Sequence, residues 1–122
     1  MKDEIELNGK TYVLKDSIKS FQPAKKMNDL EYKVVRTYSA GVFAGYLEER
    51  EGKEATLLNA RRIWKWVGAA SLSQLAMEGT SQPNECKFAV PVTKVELTEV
   101  IEVLDVTEEA RKNIQGVKEW KV

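Results

Sequence analysis

Residues 59–76, NARRIWKWVGAASLSQLA, place two adjacent arginines beside two tryptophans. Side chains alternate between the two faces of a β-strand, so Arg62, Trp64 and Trp66 would share one face and Arg61 the other. An indole can stack on a nucleobase, and a guanidinium can form paired hydrogen bonds with phosphate oxygens. The alternative is a half-buried strand whose tryptophans fill the core and whose arginines are solvated.

The residues that follow, VGAAS at 67–71, predict a helix N-terminus without bulky side chains. Backbone amides at such a helix end have no partner within the helix and can bind phosphate. The alternative is a well-capped helix that packs closely on a sheet. The sequence therefore leaves two interpretations of this corner open.

A second candidate is RTYSAGVFAG, in which Arg36 precedes a tight turn of small residues. A ligand could approach the backbone from Ser39 to Gly41, because small side chains leave it accessible. The segment is not a Walker loop, since it lacks the Gly-Lys-Ser/Thr ending and a following helix. An ordinary hairpin turn would have the same composition.

Several classes of chemistry are disfavoured by composition. The chain has no histidine, which removes histidine-based triads, imidazole bases and almost every catalytic zinc site. Cys86 is the single cysteine, so it has no partner for an internal disulfide and no neighbouring ligands for a metal. We therefore predict a binding protein rather than an enzyme, with no cofactor and no metal site.

The charge balance also limits the partners. Lys+Arg and Asp+Glu both number 19, and binding to duplex nucleic acid depends on a cationic surface. No apolar run reaches the roughly 20 residues of a membrane-spanning helix, and the charged N-terminus MKDEIELNG does not resemble a signal peptide. These features predict a cytoplasmic protein that contacts neither membrane nor duplex DNA.

The elements that would position these residues predict one α+β domain over residues 1–122, built on an antiparallel β meander. Residues 1–15 form a hairpin around Asn8-Gly9, and residues 16–30 form a connector with a short turn of helix followed by a loop. Residues 31–122 supply the main sheet and helices. The predicted strands are EYKVVRTY, VFAGYLEERE, KEATLLN and RRIWKWV, the last leading directly into a helix.

Two short helices are predicted near residues 71–79 and 107–116. Ser71 is a suitable N-cap, Gln74 completes a capping box, and Gly79 is a natural stop. The segment KFAVPVTKVELTEVIEVLDV is mainly extended, and Pro91 indicates an edge or a bulge. Its tail, EVIEVL, also has a spacing that suits a helix.

Three longer motifs, VVRTYSAGVFAGYLE, NARRIWKWVGAASLSQLAMEGT and KFAVPVTKVELTEVIEVL, resemble a family of small proteins encoded by phages and prophages. Across residues 31–121 the chain is similar to the Thoeris anti-defence sponges. The resemblance implies a protein that binds and sequesters cyclic ADP-ribose signals without catalysis, in the cytoplasm of the infected bacterial host. It also implies a homo-oligomer, either a dimer or an assembly of dimers, with cyclic oligonucleotides as further ligands at a separate site.

A cyclic ADP-ribose isomer offers an adenine for stacking, a diphosphate for arginines and amides, and ribose hydroxyls for amide and hydroxyl side chains. The side chains that could supply these contacts are Arg36, Ser39, Asn59, Arg61, Arg62, Trp64, Trp66, Ser71 and Gln74. The alternative function is a phage structural or protein-interaction module, in which the tryptophan strand forms an interface. A binder of single-stranded nucleic acid could use the same stacking row.

Overall fold

A computed structural model describes residues 4–7, 10–13 and 22–122. The strands in this part of the chain are β1 Glu4–Leu7, β2 Lys10–Val13, β3 Glu31–Thr37, β4 Val42–Glu51, β5 Glu54–Lys65, β6 Lys87–Phe88, β7 Val92–Leu97 and β8 Val100–Asp105. The helices are α1 Leu72–Glu78 and α2 Glu108–Gly116, with a 3-10 turn at Pro83–Glu85. Every strand pairing is antiparallel, which confirms the predicted α+β class.

The N-terminal strands β1 and β2 pair with each other, in register from Glu4 opposite Val13 to Leu7 opposite Lys10. The two strands of the predicted hairpin are therefore confirmed. The predicted turn at Asn8-Gly9 and residues 16–21 of the predicted connector lie outside the described residues. The remainder of the connector, residues 22–30, has no helix, as the predicted loop requires.

The main sheet has the order β6-β5-β4-β3-β8, and β7 also pairs with β5. Strands β7 and β8 thus lie at opposite sides of the sheet, although only Thr98 and Glu99 separate them in sequence. The sheet must curl for such a short connection to join its two edges. Hydrogen bonds of 2.9 Å hold this closure, from Val100 N–H to the Lys53 carbonyl and from Tyr38 N–H to the Glu99 carbonyl.

Strand β5 corrects the prediction of two consecutive strands over KEATLLN and RRIWKWV, because residues 54–65 form one strand. Asn59 has a φ of 48°, in the left-handed region, and the β4–β5 register shifts beside it. This irregularity is a bulge, so the strand bends and continues instead of turning back. The strand ends at Lys65, two residues earlier than predicted, and the next element is α1, capped by Ser71 as predicted.

The segment after the 3-10 turn is extended, as predicted, and forms β6, β7 and β8. In EVIEVL, Glu99 precedes β8 and the other five residues lie in β8, so this segment is not a helix. Pro91 lies between β6 and β7, which both pair with the same edge of β5. Pro91, which has no N–H to donate, therefore lies outside the paired residues.

Apolar side chains fill both faces of the sheet. One cluster lies between the sheet and the helices, with Val34, Ile63, Leu75, Phe88 and Ile114 among its buried members. The second cluster lies inside the curl on the other face and includes Val35, Phe43, Leu57, Leu97 and Val100. The neighbours Val34 and Val35 are both fully buried because adjacent strand residues point to opposite faces.

The capping residues are those predicted, although Gln74 bonds the N–H of the residue before the N-cap instead of the N-cap N–H of a standard capping box. Ser71 Oγ accepts a 3.1 Å hydrogen bond from Gln74 N–H, and Gln74 Oε1 accepts one of 2.6 Å from Ala70 N–H. Thr107 caps α2 by accepting a 3.0 Å hydrogen bond from Ala110 N–H. No helix among residues 22–122 is long and apolar enough to cross a membrane.

Candidate functional site

Arg61 lies in the interior with 2% of its surface exposed. Its Nε donates to the Ala89 carbonyl at 3.0 Å and its Nη2 to the Phe88 carbonyl at 3.0 Å. Its Nη1 donates to the carbonyls of Ile114 and Val117, each at 2.8 Å. Burial lowers the pKa of this guanidinium. These hydrogen bonds join β5 to β6 and to the end of α2. Arg61 is therefore not available for the ligand contact that the sequence predicted.

The VGAAS corner is occupied by the chain itself. Gly68 has a φ of 85°, and its carbonyl accepts hydrogen bonds of 3.1 Å from the N–H and the hydroxyl of Ser81. A Cβ added to Gly68 would lie 2.5 Å from the Gln82 nitrogen. Ser71 and Gln74 are engaged in capping a helix of seven residues. The interpretation of a well-capped, closely packed helix is therefore the one supported, and neither residue is kept as a phosphate contact.

Arg36 and Ser39 lie beside acidic partners near the β3–β4 turn. Arg36 Nε is 3.2 Å from a Glu102 carboxylate oxygen, and Ser39 Oγ donates to the Glu99 carboxylate. Thr37 closes the turn with hydrogen bonds through its hydroxyl group. A phosphate at this turn would be repelled by the carboxylates of Glu99 and Glu102, so the turn does not suit a phosphate.

The predicted row of Arg62, Trp64 and Trp66 is not continuous. Trp66 lies beyond the end of β5, is partly buried and packs against the core beneath the helices. The Arg62 guanidinium lies 4.7 Å from the centre of the Phe43 ring. Asn59 is exposed within the bulge. Of the predicted ligand contacts, Trp64 alone is a large aromatic residue left open to solvent.

A second irregularity in β5 lies at Trp64. Ile63 is opposite Phe88 and Lys65 is opposite Lys87, so Trp64 is the extra residue between two paired positions. A bulge of this kind redirects a side chain relative to the regular alternation. The break in alternation falls after Trp64, because Trp64 is exposed over 65% of its surface on the same face as the exposed Arg62, and the next residue, Lys65, is exposed as well.

Trp64 stacks on Trp120, which belongs to the C-terminal segment, residues 117–122. The ring centres are 6.2 Å apart and the ring planes differ by 14°. Trp120 is 49% exposed, and its backbone N–H donates a 2.9 Å hydrogen bond to the Phe88 carbonyl. Sequence reasoning missed Trp120, although a tryptophan between lysines in KEWKV was a usable signal.

Two lysines border the stacked indoles. Lys65 and Lys87 are directly opposite each other in the β5–β6 pairing, and the Lys87 Nζ lies 5.3 Å from the centre of the Trp120 ring. Like charges at directly opposite positions destabilise a sheet, and a bound anion would relieve their repulsion. Trp64, Lys65, Lys87 and Trp120 together are named the tryptophan site.

A groove of about 280 Å³ adjoins Trp120, and we name it the C-terminal groove. Lys118 and Lys121 contribute positive charge to this groove, whereas Glu119 lies 3.4 Å from Lys121. Its lining residues are Pro83, Asn84, Cys86, Lys118, Glu119, Trp120 and Lys121. Within the described ranges, no cluster of three or more side chains suits a metal ion.

Another concavity, of about 270 Å³, has the opposite charge. It lies near the tip of the β4–β5 hairpin, and Glu49, Glu51, Glu54 and Glu96 line it. The zero net charge of the chain therefore conceals a separation between an acidic surface and the basic tryptophan site. An anionic ligand would be repelled from the first and attracted to the second.

Residues 30–114 match a family model described as a domain of unknown function, DUF6948. The chain belongs to this family. No curated protein and no solved structure matches the chain. The matched range includes Trp64, Lys65 and Lys87 and ends before Trp120. The tryptophan site thus combines strands of the DUF6948 domain with a segment beyond the matched range.

Proposed function

We propose that this protein binds cyclic ADP-ribose-type nucleotides at the tryptophan site and acts as a phage anti-defence sponge against Thoeris immunity. The observation that carries the proposal is the exposed, stacked pair of Trp64 and Trp120 beside the opposed lysines Lys65 and Lys87. Exposed aromatic rings offer stacking surfaces to a base, and the lysines offer positive charge to its phosphates. The sequence resemblance supplies the choice of cyclic ADP-ribose over other nucleotides.

The expected affinity is the sum of several contacts, because one stacked base and one phosphate hydrogen bond together give roughly millimolar binding and sequestration needs more. Stacking of a base on an aromatic side chain contributes about 1–3 kcal/mol, and a hydrogen bond to a charged group contributes about 1.5–3 kcal/mol. A sponge needs affinity alone, because it acts by lowering the concentration of free signal. The proposal therefore includes release of the ligand chemically unchanged.

Assembly is part of the proposal. Exposed apolar side chains occur on several strands and turns, among them Tyr38, Val90, Val92 and Ile101. Obligate interfaces bury about 2,000 Å² or more, and apolar surface of this kind contributes to such burial. We propose a homo-oligomer in the cytoplasm of the infected bacterium, with cyclic oligonucleotides bound at a site separate from the tryptophan site.

A protein-interaction module is the second candidate, and the same stacked pair favours it. Tryptophan is enriched among the residues that dominate binding energy at protein interfaces. In that case Trp64 and Trp120 would insert into a partner protein and would show no preference for nucleotides. The two functions therefore differ in a measurable property, the affinity of the purified protein for small nucleotides.

The test is isothermal titration calorimetry at fixed salt with cyclic ADP-ribose isomers, linear ADP-ribose and cyclic oligonucleotides. The wild type should bind at least one cyclic ADP-ribose isomer, and Trp64→Ala should weaken that binding by roughly 5- to 150-fold. Arg62→Ala is the matched control, because Arg62 is also an exposed β5 residue but packs on Phe43. Its affinity should equal that of the wild type.

Chromatography of the ligand after heating the complex tests the absence of catalysis. Recovery of the cyclic compound is expected, and recovery of linear ADP-ribose would show an enzyme and overturn the sponge. Failure of every nucleotide to bind would favour the interaction module. A Trp64→Ala variant with wild-type affinity would place the nucleotide site elsewhere.

A further inference from the structure

We propose that Trp64 and Trp120 form a clamp that opens to hold one nucleobase between the two indoles, with the nucleotide's phosphate in the C-terminal groove. This inference rests on the proposed function, since it assumes that the tryptophan site binds a nucleotide. It goes further by defining the ligand class as a nucleotide with one base free on both faces and a phosphate close to that base. The clamp excludes a binding mode in which the base stacks on the outer face of one indole while the two indoles stay in contact.

The two indole rings already have the relative orientation of a clamp. The ring centres are 6.2 Å apart, with the planes within 14° of parallel. A flat ring held in contact with both indoles needs two van der Waals separations, or about 7 Å in total. Because the two rings are stacked on each other in the closed pair, they must separate by about one further van der Waals distance, roughly 3.5 Å, to admit a base. The near-parallel planes already have the orientation for contact with both faces of a base.

The two halves of the clamp are held differently. Trp64 lies in β5, between the paired residues Ile63 and Lys65, so its backbone is fixed by the sheet. Trp120 follows Val117, whose carbonyl is held by Arg61 at 2.8 Å. Beyond Val117, the described contacts to the sheet backbone are the bridge between Glu119 and Phe88 and the Trp120 N–H bond to the Phe88 carbonyl. Trp120 is thus the half that can move, with Arg61 fixing the start of its segment.

The charges around the clamp define where the phosphate lies. Lys87 is beside the Trp120 ring, and Lys118 and Lys121 line the groove together with Trp120. Glu119 pairs with Lys121 at 3.4 Å, so it offsets one of the groove lysines, and the groove keeps a net positive charge. Asn84 adds an amide group to the groove lining. A ribose would connect the base in the clamp to a phosphate in this groove.

Circular dichroism tests the insertion directly. Two stacked indoles give an exciton couplet in the far ultraviolet, which we expect in the ligand-free wild type. The couplet should be absent from Trp64→Ala and Trp120→Ala and should remain in Trp66→Phe, the control variant at the partly buried tryptophan. Saturation with adenosine 5′-monophosphate or with the cyclic ADP-ribose isomer that binds best should weaken the couplet, because an inserted base moves the indoles apart.

The outcomes separate the clamp from the proposed function. A nucleotide that binds in calorimetry and leaves the couplet intact would overturn the clamp while nucleotide binding stands. If no nucleotide binds, both proposals fail. If the ligand-free wild type gives no couplet, the indoles are not stacked in solution, and the clamp is also wrong.

The phosphate position has its own test, in which adenosine is compared with adenosine 5′-monophosphate. Lys118→Ala should weaken binding of the monophosphate by roughly tenfold and leave adenosine binding unchanged. Lys112→Ala, an exposed lysine on α2, is the matched control and should affect neither ligand. Equal losses for the two ligands in Lys118→Ala, or no loss for either, would show that the phosphate does not lie in the C-terminal groove.

Discussion

Arg61 and Val117 are joined by a 2.8 Å hydrogen bond from the guanidinium Nη1 to the main-chain carbonyl. This bond links the middle of the sheet to the start of the C-terminal segment, 56 residues later in the chain. The same nitrogen also binds the Ile114 carbonyl near the end of α2. The placement of Trp120 beside Trp64 therefore depends on Arg61, a buried residue whose hydrogen bonds go to main-chain carbonyls.

The first prediction is that Arg61→Ala lowers the free energy of unfolding by about 3–5 kcal/mol, because it leaves buried carbonyls without their charged donor. Arg61→Lys should also be destabilising, since an ammonium group cannot reproduce the planar, forked geometry of the guanidinium. Urea unfolding followed by tryptophan fluorescence measures both. Arg62→Ala is the control and should stay within about 1 kcal/mol of the wild type. An Arg61→Ala protein of wild-type stability would refute the structural role.

The second prediction concerns the opposed lysines at the tryptophan site. Lys65→Thr should raise the free energy of unfolding by about 0.2–1 kcal/mol, because it removes a like-charge pair and introduces a residue that favours strands. The same change should weaken nucleotide binding by removing positive charge from the site. Thermal unfolding and calorimetry on the same samples measure the two effects.

Lys94→Thr on β7 is the matched control for this lysine change. Lys94 is 3.5 Å from a Glu48 carboxylate oxygen, so its loss removes an attraction and should not stabilise the protein. It should leave nucleotide affinity unchanged, since Lys94 is not part of the tryptophan site. If Lys65→Thr bound nucleotide as tightly as the wild type, the opposed lysines would have no part in ligand binding.

The third prediction is a pH dependence of stability that arises from Glu108. Hydrogen bonds from Arg111, and then from the Lys25 N–H, lower the pKa of this carboxyl group from an ordinary value of 4.5 to about 2. Because the folded-state pKa is the lower one, the folded state favours the ionised form. The contribution to stability is therefore complete above the unfolded-state pKa and is lost as the pH falls from about 4.5 toward 2.

Glu108→Gln should flatten the acid side of the stability profile, measured as the urea midpoint between pH 5 and pH 2, at roughly half-unit steps. Glu109→Gln is the control, because Glu109 is an exposed residue in the same first turn of α2. Its profile should keep the wild-type slope. Identical slopes in the Glu108→Gln variant and the wild type would show that the bidentate contact with Arg111 does not persist in solution.

The fourth prediction compares two glycines with positive φ. Gly52→Ala places a Cβ in open space, so it should cost about 1 kcal/mol for the backbone conformation alone. Gly68→Ala should cost about 2 kcal/mol more, because its Cβ would meet the backbone of Ser81 and Gln82. Thermal unfolding of the two variants measures the difference. An equal loss of stability in the two variants would mean that the loop from Thr80 to Gln82 moves to accommodate the added Cβ at no cost in free energy.

Local signals predicted the elements that depend on local interactions. Ser71, Gln74 and Gly79 marked the limits of α1, and Thr107 and Gly116 marked those of α2, because capping involves residues within one turn of the helix end. The strands β3 and β4 were evident from their apolar and β-branched residues. The single strand β5 was not, since a bulge at Asn59 and a turn at the same place have similar local sequences.

The candidate site was only partly predictable from the sequence. Trp64 is the residue that belongs both to the predicted ligand contacts and to the tryptophan site of the structure. The alternation rule assigns side chains to faces for a regular strand, and the bulges at Asn59 and Trp64 break that regularity. Arg61 shares the buried face of Ile63, as alternation predicts, but alternation does not indicate that a charged side chain on that face is enclosed. Its partners are main-chain carbonyls on β6, α2 and the residues beside them, which no sequence pattern identifies.

By itself, the sequence determined the α+β class, the capped ends of the two helices and the presence of aromatic and basic side chains in the β5 segment. These properties follow from composition, hydrophobic periodicity and contacts between residues close in the chain. Tertiary structure alone decided that Arg61 is buried and hydrogen-bonded to main-chain carbonyls, that Trp64 is exposed, and that Trp120 stacks on Trp64. Those outcomes depend on strand register and on the approach of distant segments, which are fixed only when the whole sheet curls and packs.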